Sequence, residues 1–294
     1  MIQKKLFDFL LKKMSLITKK KVLYIGTSYL EPTNLAVKSI YGFWYCGNVF
    51  DQEDIAYGIA SHGTVETFDT EIVTNILKTL PENYTFYDIG ANTGWYTMVS
   101  LSLQRNSTVH AFEPIAKHCL CLKETILLNK KEHRATIHQI ALSDTSGTSE
   151  MLLAGSGSTL EKTFIRSHVG KELVALEKLD TYINSKKIKL PDFIKIDVEG
   201  HEYKVLKGSE ATLRISRPIL FIEIAYTLKK LHRNFTNSDY EAIFKLTESL
   251  NYKSFIVNEK GVAQYFPRMK SDGIAMYLFL HKEKHADLIL KYSK

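Results

Sequence analysis

Cysteine is scarce in this 294-residue chain: Cys46, Cys119 and Cys121 are odd in number and lack the spacing of a paired framework. A disulfide-stapled fold is excluded, and the three thiols are expected to be free and in the core, as in a reducing compartment. Zinc is disfavoured too, because the C-x-C of Cys119 and Cys121 lacks the further pairs at ligand spacing that a tetrahedral site wants. No apolar run has spanning length, so no transmembrane helix is expected, and no uninterrupted apolar stretch with a small-residue cleavage site marks a signal peptide. Internal repeats are absent. So is an N/D-P-P-Y/F run, which a methyltransferase acting on base amino groups would show.

Charge of one sign is also scarce over most of the length. The formal net charge is +7, but residues 1–21 hold seven lysines against Asp8, so the other 273 residues carry only about +1. A nearly neutral body argues against nucleic acid as a partner. The segment 1–21 alternates apolar and lysine residues. It is expected either to lie on an anionic membrane as an amphipathic helix or to pack on the domain as a solvated one. The location expected is cytoplasmic, with this segment as the one peripheral membrane contact. No signature of a particular oligomeric state is present.

What is there begins at Phe86, where F-Y-D-I-G-A-N-T-G ends an apolar run in a glycine-rich turn, followed by V-H-A-F-E-P at Val109 to Pro114. Gly90 and Gly94 let backbone approach a ligand closely, and a carboxylate at Glu113 can accept the hydroxyl hydrogens of a ribose. An adenosine-containing cofactor follows. A dinucleotide loop wants glycine at its first, third and sixth positions, which here hold Gly90, Asn92 and Trp95. Indole at the close-packing position argues against pyrophosphate. S-adenosylmethionine (SAM), with adenine, ribose and a zwitterionic amino acid tail, fits better, with Asp88 toward the tail.

Further apolar runs follow: Thr136–Leu142 closed by Ser143 and Asp144, Phe193–Asp197 after Pro191, and Ile219–Ile224 after Pro218. Helical stretches separate them at Trp95–Leu103, Lys117–Asn129 and His201–Lys207. Alternating strand and helix implies a parallel sheet covered on both faces, with ligands outside the carboxyl ends of the strands. Asp88, Glu113, Asp144 and Asp197 all fall at such ends and are expected on one rim.

In their order, D-I-G-A-N-T-G, H-A-F-E-P, I-A-L-S-D, L-D-T-Y-I and D-F-I-K-I-D-V-E-G-H-E-Y-K-V-L-K-G resemble the FkbM family of SAM-dependent methyltransferases over residues 54–225. The resemblance implies a class I methyltransferase (Rossmann-like) α/β fold: a mostly parallel seven-stranded sheet, helices on both faces, and an N-terminal extension. It implies O-methylation of a sugar or other small hydroxyl. Carried over, Asp88, Gly90, Ala91, Asn92 and Gly94 line the methionine side, Glu113 and Pro114 the ribose, and Leu142 and Asp144 the adenine, while Glu66 closes over the cofactor. The organisation implied is a basic segment 1–21, a strand-rich or mixed cap 22–80 and a catalytic domain 81–294.

For the transfer itself, alignment outranks proton removal. Near-attack geometry supplies about 7 to 11 kcal/mol, and a general base about 100-fold to 10,000-fold. Candidate proton acceptors and orienting groups are Asp197 first, then Lys195, Glu199 and His201. Lys195, inside an apolar strand, must pair with Asp197 or Glu223 or reach outward. Asp197, Glu199 and Glu202 offer oxygen ligands, yet displacement at an activated methyl needs no Lewis acid, and no metal is assigned. Gly208 is expected to end the helix His201–Lys207 as a glycine C-cap. Gly147–Gly170 reads as a flexible loop that, with the stretch after Ile224 including Tyr226, selects the acceptor. A catalytically silent scaffold of a glycan assembly complex and an NAD-dependent sugar dehydrogenase remain as alternatives.

Overall fold

The structure, a computed structural model, describes residues 22–24, 34–49, 51, 54–103, 106–165, 167–229, 235–258, 261–264 and 273–293. The basic segment 1–21 lies outside the described residues. A small antiparallel sheet comes first: β1 (Val22–Tyr24), β2 (Asn34–Lys38) and β3 (Trp44–Asn48), followed by helices α1 (Ile55–His62) and α2 (Thr67–Leu77). Five strands then build a parallel layer: β4 (Thr85–Ile89), β5 (Thr108–Phe112), β6 (Ala135–His138), β10 (Phe193–Ile196) and β11 (Ile219–Ala225). Helix α3 (Trp95–Ser102) joins β4 to β5, and α4 (Ala116–Leu128) joins β5 to β6. Three antiparallel strands complete one edge: β12 (Tyr252–Asn258), β13 (Gly261–Gln264) and β14 (Ile274–His281).

The order across the sheet is β13-β12-β14-β11-β10-β4-β5-β6. The chain runs outward from β4 to β6 and returns to set β10 against β4, so strand order reverses between those two. Eight strands are paired among the described residues, where seven were expected. The extra one is β13, a short edge partner that folds back on β12.

Both faces are apolar because every central strand is buried on both sides. Phe86, Phe193 and Phe221 face α3, α4 and the N-terminal sheet. Their neighbours Tyr87, Ile194 and Ile222 face α5 (Leu179–Lys186), α6 (Glu202–Lys207), α7 (Glu210–Ser216) and α8 (Tyr240–Ser249). The last helix, α9 (Ala286–Tyr292), follows β14. The N-terminal sheet shares the first of these cores, with Leu35, Val37 and Tyr45 packed among residues of α3 and β4.

Two local expectations change. Thr136–Leu142 is not one strand: a tight turn closed by the Ile140 amide on the His138 carbonyl takes the chain out of the main sheet. Ala141–Leu142 (β7) then joins a second sheet with β8 (Gly147–Leu153) and β9 (Gly170–Glu177). The first seven residues of the expected flexible loop are therefore β8, paired with β9 along its whole length. Residues 154–164 fold back from it, held by the Leu152–Thr159 bridge. Gly208 does end α6, but with an ordinary φ of −74° and not as a left-handed cap. Glycine is required there because a β-carbon would lie 1.9 Å from the Ser143 carbonyl oxygen.

Candidate active site

Where β4 and β10 diverge, the sheet opens into a cavity of about 190 Å³. Its floor is the turn after β4. Gly90 has φ +75°, and a β-carbon on it would stand 1.8 Å from the Asp197 carbonyl oxygen, so only glycine lets the turn pass the end of β10. The amides of Gly90 and Ala91 both donate to the Phe112 carbonyl at the end of β5. Asn92 takes a left-handed φ of 51°, and its side chain donates to the Ser156 carbonyl on the folded-back segment. Glu66 and Glu199 are also left-handed at φ 45° and 54°. All three line the cavity. Strained backbone of this kind gathers where a site demands it.

Glu113, 4% exposed, braces the turn from the neighbouring strand. Its Oε2 accepts the Asn92 amide and its Oε1 the Ile115 amide, each at 2.9 Å, with His118 Nδ1 at 3.3 Å. An ionised carboxylate has about four lone-pair sites, so two backbone bonds leave capacity for hydroxyl donors.

Lys195 and Asp197 form the second feature. Lys195, in register with Asp88 on β4, is 4% exposed and donates from Nζ to Asp197 Oδ2 at 2.8 Å. It also lies 4.8 Å from the centre of the Tyr96 ring. Burial alone would lower its pKa, but Asp197, Asp88 and Glu66 outweigh burial and hold the ammonium above its ordinary value. The lysine is thus paired and stays charged. Asp197 has a side chain 22% exposed and borders the cavity.

Asp88 sits elsewhere. It is 1% exposed, accepts the Thr97 hydroxyl at 2.6 Å, and does not line the cavity. Burial raises its pKa. It lies in the α3-facing layer behind Lys195, because the even period of β4 turns it to that face. Gly94 is the residue before α3 and is likewise outside the lining. Asp144 is also outside it, since β7 leaves the main sheet. Ala91, Pro114 and Leu142 do line it. Of the four strand-end acids expected on one rim, the structure brings Glu113 and Asp197 to the cavity.

His201 lines the cavity, but both ring nitrogens are engaged. Nδ1 lies 2.7 Å from Glu161 Oε1 and Nε2 lies 3.0 Å from Ser143 Oγ. Hydrogen bonds from His201 and Lys204 pull the Glu161 carboxyl down to about 2, against the burial that would raise it. The histidine therefore ties the folded-back segment to α6.

Side chains not placed in the site by sequence reasoning also enter it, Tyr96 and Glu223 among them. Tyr96 donates its hydroxyl to Glu66 Oε2 at 2.7 Å. Glu223, on β11, reaches the cavity with Asp197 and Glu199, and oxygens of the three acids lie within 4.8 Å of one another. Burial first, then Asp197 and Glu199, raise the Glu223 pKa. The available signal was an acid inside an otherwise apolar strand, I-L-F-I-E-I-A. Glu202, grouped with Asp197 and Glu199 by sequence, turns inward instead. It is 2% exposed, its Oε1 accepts the Gly200 amide, and burial raises its pKa to about 7.

A doubly wound sheet with an antiparallel edge, opening at its reversal point over a glycine turn and a strand-end acid, is the class I methyltransferase fold. The methyltransferase FkbM domain matches residues 88–254, more than half of the chain, and the chain belongs to that family. Its cofactor is S-adenosylmethionine.

The hexuronic acid methyltransferase AglP of Haloferax volcanii is 24% identical over 146 residues, which are 50% of this chain and 58% of that protein. The chain thus spans less than two thirds of that relative's length. Among solved structures, a methyltransferase FkbM from Methylobacillus flagellatus is 18% identical at a TM-score of 0.44, covering 67% of this chain and 44% of that one. An O-methyltransferase from Bacillus cereus in complex with SAH is 16% identical at a TM-score of 0.45, covering 78% and 88%.

Proposed function

We propose that this methyltransferase moves the methyl group of SAM to a hydroxyl of a sugar or glycan precursor in a surface-polysaccharide or glycolipid pathway. The observation that carries the reading is the joint opening of the Gly90 turn, Glu113 and the Lys195–Asp197 pair onto one cavity. Bound there, SAM supplies a methyl already activated by its sulfonium centre.

The residues that fit it are those with a built reason to face a ligand. Glu113 keeps acceptor capacity for ribose hydroxyls, the Gly90–Asn92 backbone allows close approach, and Leu142 and Pro114 offer apolar contact. Glu66, with its carboxyl raised by burial and steadied by Tyr96, faces the same space. Asp197 is the group proposed to orient the acceptor hydroxyl and take its proton, because Lys195 holds Oδ2 and leaves Oδ1 to serve it. Met151, Ser156, Ser158 and Leu160, from β8 and the folded-back segment, border the cavity and are proposed to select the acceptor.

The name of the AglP relative, a hexuronic acid methyltransferase, supports a glycan acceptor. No helix among the described residues is long and apolar enough to cross a membrane. Peripheral contact through residues 1–21 is proposed on their lysine-rich composition. Calorimetry with SAM followed by methyl transfer to a panel of glycosides tests the function. Micromolar binding with turnover on a hydroxyl is the expected result. Binding without turnover on any acceptor would point to the scaffold instead.

A further inference from the structure

Helix α4 carries an outward stripe that the cavity does not use. Leu120 and Leu127 are 38% and 44% exposed, and the exposed Lys123 and Lys130 stand between and just beyond them at helical spacing. The end of the helix is tied to the N-terminal sheet, because Asn129 accepts the Trp44 amide at 2.8 Å and donates to the Trp44 carbonyl at 2.7 Å. Trp44 is half-buried and shares its strand face with Cys46, whose thiol meets Cys121 on α4. Exposed Lys38, in register with Trp44 on β2, holds its ammonium 5.7 Å from the centre of the indole ring. No ion pair joins Lys38, Lys123 or Lys130 to an acid among the described residues. Of the nearby acids, Glu124 is half-buried toward β3, where its charge reaches the Cys46 thiol, and Glu132 lies past the helix end.

We infer that this face of the folded domain, Leu120, Lys123, Leu127 and Lys130 with Lys38 and Trp44 beside them, lies against an anionic phospholipid bilayer. Leucines flanked by lysines on one side of a helix can enter the acyl boundary while the ammonium groups stay at the lipid phosphates. An indole at the rim suits the headgroup level, being apolar over its body and polar at its N–H. Nucleic acid would use the lysines and leave the leucines in water. The course of the chain points the same way. Val22, the first residue of β1, pairs with Val37, next to Lys38, so residues 1–21, with seven lysines against one aspartate, join the fold at this corner. Linked in one chain, the two contacts reinforce each other. The inference extends the peripheral contact proposed above from residues 1–21 to the folded domain, and it does not depend on the methyl acceptor. Because Ile115 and His118, where α4 begins, border the cavity, the same docking sets the cavity rim near the lipid surface.

Vesicle binding by the full chain tests the inference, using phosphatidylcholine alone and phosphatidylcholine with about a third phosphatidylglycerol. Binding to the anionic vesicles only, weakened by salt, is the expected result. The double variant Lys123→Gln with Lys130→Gln is expected to bind about 30-fold more weakly, because each lysine near an anionic leaflet contributes about fivefold. Its thermal midpoint is expected to match that of the unaltered chain. Trp44 gives a second reading, since the chain has two tryptophans and Trp95 is only 2% exposed. Brominated lipids are expected to quench the emission on binding, and Trp44→Phe to remove that quenching.

Equal affinity of the double variant and the unaltered chain, with Trp44 unquenched, would overturn the inference and leave residues 1–21 as the contact. Absence of binding to either vesicle would sink both. A dimer that shifts the Trp44 emission without lipid, or tighter retention on duplex RNA than on vesicles, would also overturn the inference, since the face would then belong to a second copy or to nucleic acid. None of these outcomes bears on methyl transfer, which calorimetry and the glycoside panel test separately.

Discussion

A β-carbon added at Gly90 would meet the Asp197 carbonyl oxygen while also forcing an L side chain into φ +75°. Both effects oppose Gly90→Ala, which is expected to cost about 2 to 5 kcal/mol and to abolish SAM binding. Urea denaturation and calorimetry check it. Asp197 and His201 separate at the same scale, since the acid borders the cavity with one oxygen committed, whereas both nitrogens of the histidine are engaged. Asp197→Asn is expected to lower kcat by about 100-fold or more, and His201→Asn by less than about tenfold. Single-turnover rates with saturating SAM distinguish the two. Equal losses would return the proton-acceptor role to His201.

Among the elements, β5 and β6 carry a buried histidine pair beneath the cavity. His110 Nδ1 and His138 Nε2 lie 3.0 Å apart, His138 Nδ1 reaches the Tyr182 hydroxyl on α5, and the His138 ring stacks 4.6 Å from Phe112, which lines the cavity. Burial lowers both pKa values to about 4. The folded state thus holds the rings neutral, and the unfolded chain, titrating near the ordinary value of 6.5, takes protons first. Stability is therefore full above about pH 6.5 and falls as pH drops toward 4. Urea midpoints across that range should show the decline, and His110→Leu with His138→Leu should flatten it.

The folded-back segment 154–164 depends on a different element contact. Glu161 Oε1 takes both His201 Nδ1 and Lys204 Nζ, and Thr159 donates to the Glu199 carbonyl. Glu161→Ala removes two charge-assisted bonds, so amide exchange over 154–164 is expected to quicken by about 10- to 100-fold.

At the scale of the whole molecule, the N-terminal sheet shares a hydrophobic core with the catalytic sheet. The Tyr45 hydroxyl meets Thr93 in the cofactor turn, the Cys46 amide donates to Thr125, and Asn129 bonds Trp44 through both its carbonyl and its amide. Trp95, the indole at the third glycine position of a dinucleotide loop, packs against Phe43 and Tyr45 and donates to Thr70. Removing residues 1–48 would strip that cover from Trp95. The expected result is loss of the cooperative thermal transition, and a truncated chain that still melts sharply would show the catalytic sheet to be self-sufficient.

Residue order along the chain was enough to determine the alternation of strand and helix, the glycine turn, the strand-end acid and the pairing demand on Lys195. Each is a local consequence of periodicity, backbone freedom or the cost of burying charge. Tertiary structure alone decided which acids share the cavity. Asp88, although on the same sheet face as Lys195, is held against α3 by the Thr97 hydroxyl, and a tight turn at His138 and Ile140 diverts Asp144 with β7. Parallel pairing then brings Glu223 beside Asp197 across two strands, a contact between residues 26 positions apart that no local pattern encodes.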